Sequence, residues 1–181
     1  MEAHVDHALA FLRLVAGGEL GDGAGRGLDL GSGGGVPGLV LAWRLPRWTW
    51  VLVDVARRRT SFLVTAVADL GMGDRVHVVR AKAEDLAHDP THRLAYDVVT
   101  ARSFAPPAVT AEVGGAFVRM GGALLVAEPP DGLDRWDAVV LSGVGLENRG
   151  VTAFPAIRML VRVGDLADGL PRAAVFRKPL G

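Results

Sequence analysis

The chain has 181 residues, half of them hydrophobic, and its formal net charge is zero. This length fits one domain with a substantial core, and the neutral balance excludes nucleic-acid binding by bulk charge alone, although it permits a local basic patch. The lack of cysteine excludes disulfides, thiolate zinc sites and a cysteine nucleophile. We expect a cytoplasmic protein outside the membrane, because the sequence has no signal-peptide pattern and no apolar run of bilayer length.

The first predicted element is a helix. Apolar residues recur at helical spacing from about Glu2 to Ala16, so we assign residues 1–20 to an N-terminal helix and residues 21–181 to a single domain. Beyond it, strands alternate with helices. Strands are predicted at 27–30, 48–55, 76–79, 96–100 and 123–128. Helices are predicted at 39–43, 57–70, 106–120 and 131–141.

The chain closes with a β-rich segment. Strands are predicted at 158–163 and 173–177, and because no helix separates them we expect an antiparallel pair. The preceding alternation predicts right-handed crossovers and parallel pairing. The predicted fold class is therefore α/β, a Rossmann-like, mostly parallel seven-stranded sheet with helices on both faces.

A glycine-rich turn, LDLGSGGGVPG, follows the first predicted strand at residues 28–38. Glycines permit positive φ and let a ligand approach the backbone, and ligands of parallel α/β sheets sit beyond the carboxyl ends of the strands. Two ligand classes fit the spacing. The glycines at 33, 35 and 38 satisfy the dinucleotide fingerprint, whereas those at 31, 33 and 35, preceded by Asp29, have the form found in methyltransferases.

We favour S-adenosylmethionine as the ligand of this turn. The dinucleotide register would insert Gly31 and Ser32 between the strand and its first glycine, and a dinucleotide needs its pyrophosphate at a helix N-terminus. Asp29 suits the cationic amino acid portion of the methyl donor. The predicted cofactor residues of the turn are Asp29, Gly31, Ser32, Gly33 and Gly35. A tight turn that binds nothing is the alternative.

Two further strand ends extend the predicted cofactor site. Asp54 lies nineteen residues after Gly35, where a carboxylate can accept both ribose hydroxyls of an adenosine. After the third strand, the backbone of Ala83 and Glu84 can meet the edge of an adenine. The alternatives are a solvated aspartate and a helix-capping glutamate.

The fourth strand leads into Arg102 and Phe104, within the segment TARSFAPP. Arg102 can pair with the donor's carboxylate or with an RNA phosphate. Phe104 can stack on a base or fill the core. We expect His77, His88 and His92 to be surface residues rather than catalysts. No spacing indicates a metal site, no catalytic acid or base is assigned, and oligomeric state is left open.

Four segments, LDLGSGGGVPG, VDVARRRTSFL, RAKAEDL and YDVVTARSFAPP, together resemble the bacterial small-subunit (16S) rRNA guanine-N7 methyltransferases, also called glucose-inhibited division protein B. The resemblance covers about Asp6 to Lys178. It implies a class I S-adenosylmethionine-dependent methyltransferase fold, S-adenosyl-L-methionine as cofactor, and small ribosomal subunit RNA as partner. It also implies transfer of the methyl group to guanine N7, an acceptor that carries no proton and needs only to be positioned.

The resemblance carries over to single positions of the cofactor site. It implies that Gly31 and Val36 contact the methyl donor, that Asp54 holds its ribose, and that Ala83 and Glu84 flank its adenine.

On the substrate side, the resemblance implies that Arg102 is the arginine of the family's S-R-A-F element, and we also assign Phe104 to substrate binding. The resemblance further implies that Arg58 and Arg59 occupy basic positions that face RNA, and His7 falls where the family has a histidine before its first strand.

The chain also departs from the family pattern. Family members carry several more helical turns ahead of the point where this chain starts. Where they have a lysine-glycine after the fifth strand, this chain has Glu128, Pro129 and Pro130, which we expect to bring an anion to the pocket. Two other functions stay open, a small-molecule methyltransferase that tailors a natural product and an NAD-binding Rossmann protein.

Overall fold

The computed structural model describes residues 2–17, 23–130, 134–153 and 155–172. The strands are β1 (Arg26–Leu30), β2 (Thr49–Asp54), β3 (Val76–Arg80), β4 (Tyr96–Ala101), β5 (Val118–Ala127), β6 (Leu146–Val151) and β7 (Ile157–Arg162). The helices are α1 (Glu2–Gly17), α2 (Gly38–Arg44), α3 (Arg57–Asp69), α4 (Ala83–Leu86), α5 (Pro107–Gly115) and α6 (Ala138–Gly143). Within these ranges, no helix has the length and apolar character needed to cross a bilayer.

The strands form one sheet in the order β3-β2-β1-β4-β5-β7-β6. The first five pair in parallel, whereas β7 runs antiparallel to both β5 and β6. The chain winds outward from β1 to β3 and then returns to the other side of β1 at β4. This reversal opens a crevice at the carboxyl ends of β1 and β4, the usual ligand position in such sheets. The glycine turn and the segment containing Arg102 both begin at this crevice.

Side chains alternate between the two faces of the sheet and fill two hydrophobic layers. On β2, Val51 and Val53 face one layer, whereas Trp50 and Leu52 face the other. The second layer also receives Phe11 of α1, so the N-terminal helix packs into the core of the domain. Helix α5 is buried at every position from 109 to 115, which explains why its sequence is mostly apolar, with Thr110 and Glu112 as buried polar exceptions. The predicted Rossmann-like, mostly parallel α/β sheet is confirmed.

Three boundaries differ from the sequence-based prediction by more than two residues. The helix predicted at 106–120 ends at Gly115, and β5 begins at Val118, because two successive glycines end the helix before strand-forming residues. The helix predicted at 131–141 is wrong over 134–137. It begins only at Ala138, where Asp137 caps it by accepting from the backbone N–H of residues 139 and 140.

At the end of the sheet, the strand predicted at 158–163 is present as β7, and its antiparallel partner β6 was not predicted. The antiparallel pair is formed by β6 and β7, whereas the strand predicted at 173–177 lies outside the described residues. Strand β6 was missed because it lies at the edge of the sheet and only Leu146 is buried, so its sequence lacks an apolar alternation.

Candidate functional site

The glycine turn is folded tightly against the neighbouring strand. Gly31, Gly33 and Gly35 have φ values of 67°, 55° and 86°, which favour glycine at each position. The N–H of Ser32 donates to the carbonyl of Val53 on β2 at 2.9 Å. Ser32 is buried and its hydroxyl donates to the carbonyl of residue 29 at 2.8 Å, so it acts inside the turn. A Cβ at Gly31 would lie 2.9 Å from the ring of residue 104.

Asp29 holds the turn from beneath. Its side chain is buried, with Oδ1 accepting from the Thr100 hydroxyl at 2.6 Å and Oδ2 accepting from the Gly38 N–H at 3.3 Å. Burial raises the pKa of Asp29 to about 6, although these hydrogen bonds act in the opposite direction. A Cβ at Gly38 would lie 2.5 Å from Oδ2 of Asp29, so close packing alone explains the last glycine of the dinucleotide fingerprint.

Asp54 connects the glycine turn to the second strand end. Its Oδ2 accepts from the Gly33 N–H at 2.9 Å, and its Oδ1 accepts from the Ala56 N–H at 2.8 Å. The guanidinium of Arg59 lies 3.5 Å from Oδ2, and it is an exposed side chain that adds little stability. The carboxylate is therefore held rigidly while one edge borders a cavity.

This first cavity has a volume of about 410 Å³ and a mainly apolar lining. Of the residues predicted to bind the cofactor, four lie on its wall: Gly31, Asp54, Ala83 and Glu84. The wall also contains Val53, Val55, Arg59, Ala81, Lys82, Ser103 and Phe104. The other predicted cofactor residues, Asp29, Ser32, Gly33, Gly35, Val36 and Arg102, do not line this cavity. Of these, Asp29, Ser32 and Gly33 make the hydrogen bonds that shape the turn.

A second cavity of about 380 Å³ adjoins the first. Ser103 and Phe104 line both, so they form the partition between the two spaces. Ser103 has a φ of 53°, an uncommon backbone conformation for a residue other than glycine. Arg102 faces the second cavity and its Nε donates to the carbonyl of Val36 at 3.0 Å, which couples the glycine turn to β4. His7 of α1 completes this side.

Glu128 borders the second cavity, but its charge is neutralised. Its Oε2 accepts from Arg135 at 2.8 Å, and its Oε1 accepts from Arg158 at 3.2 Å and from the indole N–H of Trp136. Only 6% of its side chain is exposed. Glu128 therefore lies at the pocket as expected, and two arginines from later in the chain fold back onto it and compensate its charge.

Several of the residues considered in the sequence analysis lie outside both cavities. Arg58 is exposed at the start of α3 and lines neither cavity. The three histidines at 77, 88 and 92 also line neither. Among the residues that the structure describes, no three acidic, histidine or cysteine side chains form a cluster that could hold a metal. The sequence did not identify Val55, which lines the first cavity, or Arg135 and Trp136, which line the second. A tryptophan in the polar segment after β5 was the one available signal.

Comparison with known proteins gives a consistent result. The profile of a family described as rRNA small subunit methyltransferase G matches residues 1–131. The chain is similar to the ribosomal RNA small subunit methyltransferase G of Roseiflexus castenholzii, with 40% identity over 130 residues, 72% of this chain and 54% of the relative. The corresponding protein of Prochlorococcus marinus is 35% identical over 160 residues, 86% of this chain and 65% of the relative.

The chain spans about half the length of the curated relatives it matches. Among solved structures, it is similar to a SAM dependent methyltransferase from Aquifex aeolicus, with a TM-score of 0.63 and 15% identity. That alignment covers 88% of this chain and 93% of the other, so the two share a fold.

Proposed function

This chain belongs to the rRNA small subunit methyltransferase G family, and from that premise we propose that it transfers a methyl group from S-adenosylmethionine to guanine N7 of small-subunit rRNA. One observation supports this most strongly. Two cavities of ligand size meet at a shared wall formed by Ser103 and Phe104. A methyl transferase needs such an arrangement, because donor and acceptor must approach each other from separate sites.

The first cavity fits the adenosyl part of the donor. Its volume of about 410 Å³ lies within the usual range of small-molecule sites. Asp54 would accept the ribose hydroxyls, and the small side chain of Ala83 would leave room for the adenine beside Val55. When bound, S-adenosylmethionine supplies a methyl group that is already activated by its sulfonium.

The second cavity would receive the acceptor base. Guanine N7 has a lone pair and no proton, so the chain has no proton to remove and acts by holding the base in line. Arg102 would orient the donor's carboxylate or an RNA phosphate near the partition, and Phe104 would contact the base. A base reaches such a pocket only when it is unpaired or extruded from its stack, which suits a single-stranded loop of rRNA.

Arg58 and Arg59 would extend the RNA contact beyond the cavities. Both are exposed in the first turn of α3, where the helix dipole disfavours cations. A negatively charged backbone would offset that cost. Because the net charge of the chain is zero, such local contacts would have to supply its affinity for the small ribosomal subunit, in the cytoplasm.

Two measurements test this function. Calorimetry with S-adenosylhomocysteine and with NAD should give binding of the first only, since the first cavity is attributed to an adenosyl group without a pyrophosphate. Tritiated methyl transfer should then occur to small ribosomal subunits. Binding of NAD alone would make this an NAD-binding protein. Transfer to small metabolites alone would replace the RNA acceptor with a small-molecule one.

A further inference from the structure

The second cavity carries residues that the family profile does not reach. Arg135 and Trp136 lie beyond residue 131, where the match ends, yet both line the cavity. They are fixed by a common partner, since the carboxylate of Glu128 accepts from the guanidinium of Arg135 and from the indole N–H of Trp136. A cation and an aromatic ring are thereby held in one orientation at the wall.

The charges around this cavity favour an anionic ligand. Arg158 of β7 is buried, and its Nε donates to Oε1 of Glu128. Its Nη2 lies 3.4 Å from Oδ1 of Asp134. The cluster contains three arginines, 102, 135 and 158, against the two carboxylates of 128 and 134. Arg135 and Arg158 together balance these two carboxylates, so Arg102 on the cavity wall supplies the excess positive charge, and the guanidinium of Arg135 stays accessible. It is 37% exposed, and one of its five N–H groups is held by Glu128.

Much of the remaining wall is apolar, beside the polar residues His7, Ser103 and Thr110. Trp136 is only 7% exposed, and Phe104, Pro107 and Val126 line the same space. A volume of about 380 Å³ is within the range of small-molecule pockets. The site thus combines an apolar slot with a cation at its edge, a pairing suited to a flat base that carries a phosphate.

We infer that the second cavity is a nucleotide subsite in which Arg135 contacts a phosphate of the acceptor strand and Trp136 forms a wall for its base, both oriented by the positioning residue Glu128. The inference rests on the proposed function, since it names the residues that receive the acceptor. It places a cation at the cavity from a segment that follows the residues matched by the family profile.

The test uses the full chain with its four tryptophans replaced by 5-fluorotryptophan. Guanosine 5′-monophosphate and guanosine are the probes, and the Trp136→Phe variant identifies the resonance of residue 136. We expect guanosine 5′-monophosphate to shift that fluorine resonance. Arg135→Gln should weaken binding of the monophosphate by about tenfold, the loss of one charge-assisted contact, and leave guanosine affinity unchanged. Arg135→Lys should recover part of the loss.

Arg149→Gln is the matched control, because Arg149 forms an exposed ion pair with Glu147 and does not line the cavity. It should bind both probes like the wild type. Wild-type affinity of Arg135→Gln for the monophosphate, or an unmoved resonance at residue 136 on saturation, would overturn the inference. S-adenosylhomocysteine binding and methyl transfer to small subunits are measured on the same preparations. If both are retained, this failure leaves the proposed function standing.

Discussion

Asp29 and Asp54 are two buried aspartates near the carboxyl ends of neighbouring strands, and their surroundings give them different roles. Asp29 bonds a hydroxyl and a backbone N–H inside the protein and lines neither cavity. Asp54 accepts from the N–H of Gly33 in the glycine turn and from the N–H of Ala56 just after β2, and it borders the first cavity. The first therefore stabilises the turn, and the second is the residue that can meet a ligand.

The raised pKa of Asp29 predicts a pH-dependent stability. Because burial raises it from 3.8 to about 6, the folded state binds this proton more tightly than the unfolded state. The contribution of Asp29 to the free energy of unfolding should fall as pH rises from about 4 to about 6, by up to about 3 kcal/mol. Urea unfolding of wild type and Asp29→Asn across this range measures it as the difference between the two proteins. A difference that does not change with pH would contradict the prediction.

Asp54→Asn should weaken S-adenosylhomocysteine binding by about tenfold or more, because a charged acceptor for the ribose hydroxyls is lost. Calorimetry measures the affinity, and thermal unfolding checks that the variant folds. Asp97→Asn is a matched control. Asp97 also accepts a backbone N–H, from Arg26 at 2.7 Å, and pairs with Arg119, but it lies near the amino end of β4. Equal affinity in the Asp54→Asn variant and the wild type would remove Asp54 from the ribose site.

Among the elements, the ends of α5 and α6 depend on one buried side chain. Arg162 of β7 donates to the carbonyls of Gly115, Val118, Val144 and Gly164, at 2.6 to 3.3 Å. These include the last residue of α5 and the C-cap of α6, whose carbonyls lack partners within their own helices. Burial lowers the pKa of Arg162 to about 10, so it stays charged at neutral pH.

Arg162→Met should destabilise the protein by about 3 kcal/mol or more, since it leaves several buried carbonyls without a donor. Urea unfolding at neutral pH measures the loss. Arg162→Lys keeps the charge but has fewer donors, so it should lie between the wild type and Arg162→Met. Wild-type stability in Arg162→Met would mean that water reaches these carbonyls.

On the scale of the whole molecule, the last described segment is tied to two other parts of the chain. Glu112 of α5 is fully buried, and its carboxylate accepts from the backbone N–H of Arg172 at 2.7 Å and from its guanidinium at 2.7 Å. Nearby, Nε2 of His88 lies 2.8 Å from the carbonyl of Pro171. Residues 171–172 therefore join α5 to the connection that leads into β4.

Arg172→Ala should destabilise the fold by about 1–3 kcal/mol, because the buried carboxylate of Glu112 loses its guanidinium partner and keeps only the backbone N–H of residue 172 as a donor. The double variant Glu112→Gln with Arg172→Ala should recover a large part of that loss. Unfolding free energies of the four proteins in this cycle give the coupling. A loss in the double variant equal to the sum of the two single losses would contradict the pairing.

The secondary structure shows which features neighbouring residues can predict. The glycine turn and the strands β1 to β4 follow from local periodicity and from positions that require positive φ, and their boundaries agree with the structure within two residues. The start of α6 and the edge strand β6 do not follow in this way. Helix α6 is short and begins at a cap, and β6 has little buried surface, so both depend on contacts with the rest of the sheet.

Sequence alone was sufficient for the fold class of a Rossmann-like domain, for the glycine turn, and for placing Asp54 and residues 83 and 84 as candidates beside one ligand. These features are encoded by short spacings, because every strand end of a parallel sheet emerges at the same edge. Only the tertiary structure showed which residues form the second cavity and that the charge of Glu128 is compensated by arginines. His7, Arg102 and Arg135 come together there from distant segments, and the charge that each presents depends on partners that only the folded sheet brings within reach.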